Sequence, residues 1–159
     1  MQKGLTLIEL IVALVISGIL TATAVAGMGY FGTGNKVKRE ASKLIDNFWQ
    51  LRADAISGKK NPCLDFPQPD SVRIYSDLAD VPDGYGAGDV LISKYKFYGK
   101  VRYLSILGGD GPTHSVCFSS QGVTGSAFTA LDLTLGVDPL SPYKKRVYLL
   151  PSTGIAKMK

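Results

Sequence analysis

From Leu5 to Met28 nearly every residue is apolar or small, and the stretch holds no lysine, arginine or proline. About 24 such residues make a helix long enough to cross a bilayer core of about 30 Å. Lys3 precedes the stretch, and Lys36, Lys38 and Arg39 follow it. Hydrophobic content over the 159 residues is ordinary at 45% but concentrated here; the remainder reads as a polar domain. The length suits one compact domain plus an extended element. A conventional secretory signal has a shorter apolar core with a small-x-small cleavage site behind it. Thr23-Ala24-Val25-Ala26 has that look, but the run is too long and contains Glu9, an acid about one turn inside it. A carboxylate in an apolar span costs about 2.5–3.5 kcal/mol at mid-helix and less near the end, which makes Glu9 a functional candidate by default.

Gly4 followed by Leu5-Thr6-Leu7-Ile8-Glu9-Leu10 resembles the class III signal of type IV pilins and of the pseudopilins of type II secretion systems. The resemblance implies a leader, 1–4, cut between Gly4 and Leu5 by a prepilin peptidase on the cytoplasmic side. The apolar helix is then retained, Leu5 becomes an N-methylated terminus, and Glu9, at the fifth mature position, guides assembly with other pilin or pseudopilin subunits. Leu5 departs from the family, which usually has phenylalanine there. The implied location is the bacterial inner membrane, single-pass, with the N-terminus cytoplasmic and the remainder periplasmic. A physical argument for Glu9 stands beside the resemblance. Helices packed side by side at low dielectric need one polar feature to fix axial register, and a carboxylate meeting a neighbour's terminal amine supplies it.

Behind the transmembrane and assembly helix, 5–28, Gly27, Gly29, Gly32 and Gly34 crowd together, each costing about 1 kcal/mol against alanine in a helix. A weakened stretch and a plain linker are both consistent with them. Helical spacing returns with Val37, Ala41, Leu44, Ile45, Phe48, Leu51, Ala55 and Ile56, and Gly58 and Pro62 end it. This predicts an amphipathic helix over 29–58, leading into a β-rich head over 59–159. Burial in the head is the expectation for Trp49. Strands are expected at Ser71–Ser76, Ser93–Tyr98, Val101–Ile106, His114–Phe118, Ala130–Leu135 and Arg146–Leu150, with Ile155–Met158 closing a terminal hairpin. The fold class expected is α+β, the pilin architecture: a long N-terminal helix on an antiparallel sheet or small sandwich. Asn47–Ile56 on the helix, Val116-Cys117-Phe118-Ser119-Ser120-Gln121-Gly122 and Ser152-Thr153-Gly154-Ile155 are similar to patterns of the H-type and FimT-type minor pseudopilins. That implies a low-copy subunit near a filament tip.

Cys63 and Cys117 belong to no metal-type pair. They are buried thiols in a cytosolic domain and a disulfide in an extracytoplasmic one; the implied topology favours the disulfide. His114, the only histidine, lacks a nucleophile motif beside it and does not complete a zinc set with the cysteines. Asp77, Asp80, Asp83 and Asp89 lack the spacing of a calcium loop, and Gly84, Gly86 and Gly88 open no helix that could hold phosphate. No cofactor and no metal is expected, and no enzymatic role. The formal charge is +5, with cations scattered over 36–60, 94–102 and 144–159. Lys144, Lys145, Arg146, Lys157 and Lys159 form the one grouping that nucleic acid could contact, and a solvated basic edge is the plainer reading. The leading expectation is a minor pseudopilin of a type II secretion system. A minor pilin of a type IV pilus or competence system comes second, and a signal-anchored periplasmic enzyme third.

Overall fold

The computed structural model describes residues 6–59, 61–77, 86, 88–109, 114–122 and 130–159, with backbone alone at 26–31. The described residues form one helix and eight strands. The helix, α1, is Leu7–Ile56. The chain divides into two compact units, Met1–Asn35 and Lys36–Lys159.

In the first unit, every described side chain from Thr6 to Val25 is exposed. Leu7–Val25 is long and apolar enough to cross a membrane. Gly27, Gly29, Gly32 and Gly34 fall inside α1 with helical backbone. At about 1 kcal/mol each, glycines weaken a helix without breaking it.

In the second unit the strands are β1 Pro62–Gln68, β2 Ser71–Ser76, β3 Val90–Lys96, β4 Arg102–Leu107, β5 Val116–Cys117, β6 Leu131–Gly136, β7 Lys144–Leu150 and β8 Ile155–Met158. They pair into two four-stranded sheets, in the orders β3-β2-β1-β5 and β4-β6-β7-β8, with every pairing antiparallel. The α+β class expected from the sequence, a long N-terminal helix with antiparallel sheets, is the one observed. Two-residue alternation is plain in β6, where Leu131, Leu133 and Leu135 are buried and Asp132 and Thr134 are not. In β1 it is absent: the first five residues are all buried, with Leu64 and Phe66 in the main core and, on the other face, Cys63 covered through its disulfide and Asp65 by Arg73. A run without period, opened by a proline, gives no strand signal, and β1 was therefore not expected. The strand expected at His114–Phe118 shrinks to two residues, and His114 adopts the left-handed conformation with φ 52°.

The helix stripe Val37, Ala41, Leu44, Phe48, Leu51 and Ala55 shares one buried core with residues of both sheets. Phe48 meets Phe118 edge-on, with ring centroids 6.5 Å apart. Asn47 donates to the Tyr95 hydroxyl at 2.6 Å, and the Lys43 ammonium lies 3.8 Å from that ring's centroid. Burial, with the charge of Glu40 behind it, pushes the Tyr95 pKa up, so the group stays a neutral phenol. Trp49 corrects the expectation of burial: it is 43% exposed. One residue past the buried Phe48, it is turned about 100° around the helix, onto the outer side with Asp46, Gln50 and Ala53. Asp65, fully buried in β1, is held by two bonds from the opposed Arg73 of β2. Cys63 and Cys117, opposite each other in the β1–β5 register, are joined by a disulfide with Cα atoms 4.1 Å apart.

Candidate assembly site

An apolar helix with every side chain exposed presents few polar groups, and three of them turn back on their own backbone. Ser17 donates to the Ala13 carbonyl at 2.8 Å, Thr21 donates to the Ser17 carbonyl, and Thr23 donates to the Leu20 carbonyl at 2.9 Å. Hydroxyls satisfied in this way let the segment sit in hydrocarbon without an orphaned donor. Glu9 differs in carrying a charge. It is the one acidic or basic residue from Thr6 to Val25.

The start of α1 explains where Glu9 is held. Thr6 precedes the helix as its cap, and Glu9 stands three residues on, the spacing of a capping box. Glu9 Oε2 accepts from both the backbone N–H and the hydroxyl of Thr6, each at 3.0 Å, and the Glu9 N–H reaches back to Thr6 Oγ1 at 3.4 Å. Both bonds to the carboxylate fall on one oxygen. Ile8, Glu9, Val12, Ala13 and Ile16 line a shallow, open groove of about 300 Å³ along one helix face. A ridge from another apolar helix fits such a groove, with the carboxylate as its only charged group. Gly4 and Leu5, the residues expected at the cut, lie outside the described residues.

The family model described as the prokaryotic N-terminal methylation motif matches residues 1–25. The fold matches a crystal structure of the type IV minor pilin FimU of Pseudomonas aeruginosa at TM-score 0.60 and 13% identity, over 79% of this chain and 89% of that one. A second crystal form of FimU matches at TM-score 0.57 and 12% identity, over 77% and 91%. This chain has a type IV pilin-like fold. Among curated proteins, none matches it. Folds of this pilin-like kind are non-enzymatic in general.

The pilin-like head places the other candidates as follows. Strand alternation in β7 sets Lys144, Arg146 and Tyr148 on one face, and pairing with β8 brings Lys157 and Lys159 beside them. Lys145 falls on the opposite pleat and is half-buried. Arg146 is already engaged: its guanidinium makes two bonds to Asp132, which raise its pKa further. The Asp77 carboxylate lies within 4.8 Å of both cysteine sulfurs, but the disulfide removes the thiolates that a metal would need. The His114 ring holds the Gly108 carbonyl through Nδ1 at 2.8 Å, a turn contact. Asp89 caps a local turn by accepting from the Gly86 N–H at 2.8 Å, whereas Asp80, Asp83 and Gly84 lie outside the described residues.

One junction was not foreseen as a junction. The three segments that resemble the H-type pattern converge at a single point. Arg52 Nε donates to the Gly122 carbonyl at 2.9 Å, and the Gly154 turn closes over the same carbonyl. Gly122 and Gly154 have φ of 70° and 61°, and a side chain on Gly154 would collide with the Gly122 oxygen. The helix end is thus clamped to both sheets through contacts that need a guanidinium and two bare backbones. Gly154→Ala is expected to cost about 2 kcal/mol, from left-handed strain plus the forced shift. The loss should appear as a thermal midpoint several degrees lower, followed by the fluorescence of Trp49, whose ring lies 5.7 Å from the Arg52 guanidinium carbon.

Proposed function

We propose that this chain is a minor pseudopilin of a type II secretion system. It is made as a precursor, cut between Gly4 and Leu5 by a prepilin peptidase, methylated at Leu5, and built into a periplasmic filament from the inner membrane with other pseudopilins. The observation that carries the reading is the exposed apolar helix whose one charged group, Glu9, is pre-positioned at its start by Thr6. The Cys63–Cys117 bridge supports a head on the oxidising side of the membrane. The test is intact-mass analysis of the full chain expressed with and without a prepilin peptidase. Loss of Met1–Gly4 only with the peptidase, with one added methyl, is the expected result; a full-length chain, or one cut near Ala26, overturns it.

The likeness to FimU favours a second reading, a minor pilin of a type IV pilus or competence system. Co-expression with the major subunit of either machine separates the two, by which one the chain co-purifies with. In the second reading DNA contact would fall to Lys144, Lys157 and Lys159, since Asp132 occupies Arg146. A signal-anchored enzyme predicts an uncut N-terminus and activity indifferent to Glu9.

A further inference from the structure

The cations that are scattered along the sequence are gathered by the topology. The β1–β2 turn, the β3–β4 turn and the start of β4 meet at one end of the second unit: Phe97 N–H donates to the Asp70 carbonyl and Tyr103 N–H to the Pro69 carbonyl, each at 2.8 Å. Lys36, where the chain enters this unit, is at the same end, because a side chain on Gly99 would stand 2.9 Å from Lys36 Cδ. Arg102, Gly136 and Lys144 lie in one row across β4, β6 and β7, which brings the β6–β7 connection there too.

Lys36, Lys100, Arg102 and Lys144 therefore share one rim, and among the described residues none of them pairs with an acid. Of the acids at this end, Asp70 is held by Lys96 at 3.1 Å and Asp138 is turned onto the Leu140 N–H at 2.8 Å. Two large side chains project among these cations. Leu140 is 93% exposed and Tyr98 is 63% exposed, with the Lys36 ammonium 6.0 Å from the Tyr98 ring centroid. Gly99 and Lys100 are both left-handed, at φ 67° and 65°, which turns the chain sharply beside Tyr98.

We propose that this rim docks on an anionic phospholipid bilayer, its lysines and arginines on the headgroup phosphates and Tyr98 and Leu140 at the interface. The inference rests on the reading of Leu7–Val25 as a membrane span. Residues 26–35 alone join that span to Lys36 along the chain, so this end of the head is the one that follows the span directly in sequence. Clustered cations beside an anionic leaflet are attracted within about a Debye length, near 10 Å. Aromatic rings with a polar tip favour the headgroup level. A nucleic acid would be met by the same cations, but it offers nothing to an exposed leucine; a bilayer does. In this arrangement the subunit waits on the membrane, before assembly, with its head held at the surface.

The experiment uses the full chain in nanodiscs of phosphatidylglycerol or of phosphatidylcholine, with hydrogen exchange followed over 97–101 and 137–143. Exchange there should be about tenfold slower in phosphatidylglycerol, and the difference should vanish in high salt. It should also vanish in a variant with Lys36, Lys100, Arg102 and Lys144 all changed to Gln, while β6 exchanges as in the wild type. Equal exchange of the wild type in the two lipids overturns the proposal alone, whatever the variant does. So does protection that appears with duplex DNA in phosphatidylcholine discs and not with phosphatidylglycerol. A chain that fails to insert overturns the span reading, and the proposal with it.

Discussion

Glu9→Ala should leave the chain in the membrane and remove it from the filament. Taking one charge from an apolar span makes insertion easier, so the membrane fraction should hold at least as much subunit as before. Incorporation is different. If the Glu9 carboxylate meets a neighbour's terminal amine, its loss leaves that amine buried and unpaired, at about 3–5 kcal/mol, or roughly a 150- to 4,000-fold loss of incorporation. Immunoblots of sheared filaments against membranes measure this directly. Glu9→Gln sharpens the result: it keeps an oxygen to accept the Thr6 N–H but carries no charge. Incorporation should fail with Gln as with Ala. Recovery with Gln would assign Glu9 to capping the helix, and equal incorporation of all three would remove its assembly role.

Cys63→Ser, or reduction of the bridge, should destabilise the head by about 4 kcal/mol, the chain-entropy value for a closed loop of this length. The sequence separation is 54 residues, and the loop carries β2, β3 and β4, including two of the four strands of one sheet. Such a loss is a large share of the head's stability, because an ordinary domain has only about 5–15 kcal/mol in total. In denaturant titrations of the full chain in detergent, the unfolding constant should rise about a thousandfold. The double variant Cys63→Ser with Cys117→Ser should behave like the single one. A change below 1 kcal/mol would mean that the short β1–β5 pairing holds without its bridge.

Legibility from the sequence varied from element to element. The span, Glu9 and the stripe from Val37 to Ala55 could be read directly, because a bilayer or a core facing one side of a helix imposes the same demand every turn. β2 and β8 were read to the residue, as alternating runs between turn signals. β1 could not be read, since a strand buried on both faces loses its alternation. The side of α1 that carries Trp49 was misread, because aromatic content suggested burial where helical phase placed the ring outside. The Arg52–Gly122–Gly154 junction left three separate traces, each resembling a family pattern, with nothing in any of them to say that they touch.

What the sequence determined by itself was the N-terminal signal, the apolar helix with its single acid, and the α+β class, all of which depend on residues within a few positions of each other. Only the tertiary structure decided the division of eight strands into two sheets, the pairing of Asp132 with Arg146, and the gathering of Lys36, Lys100, Arg102 and Lys144 on one rim. Those features depend on strand register and on which turns share an end of the head. They join residues tens of positions apart, where no local period carries information.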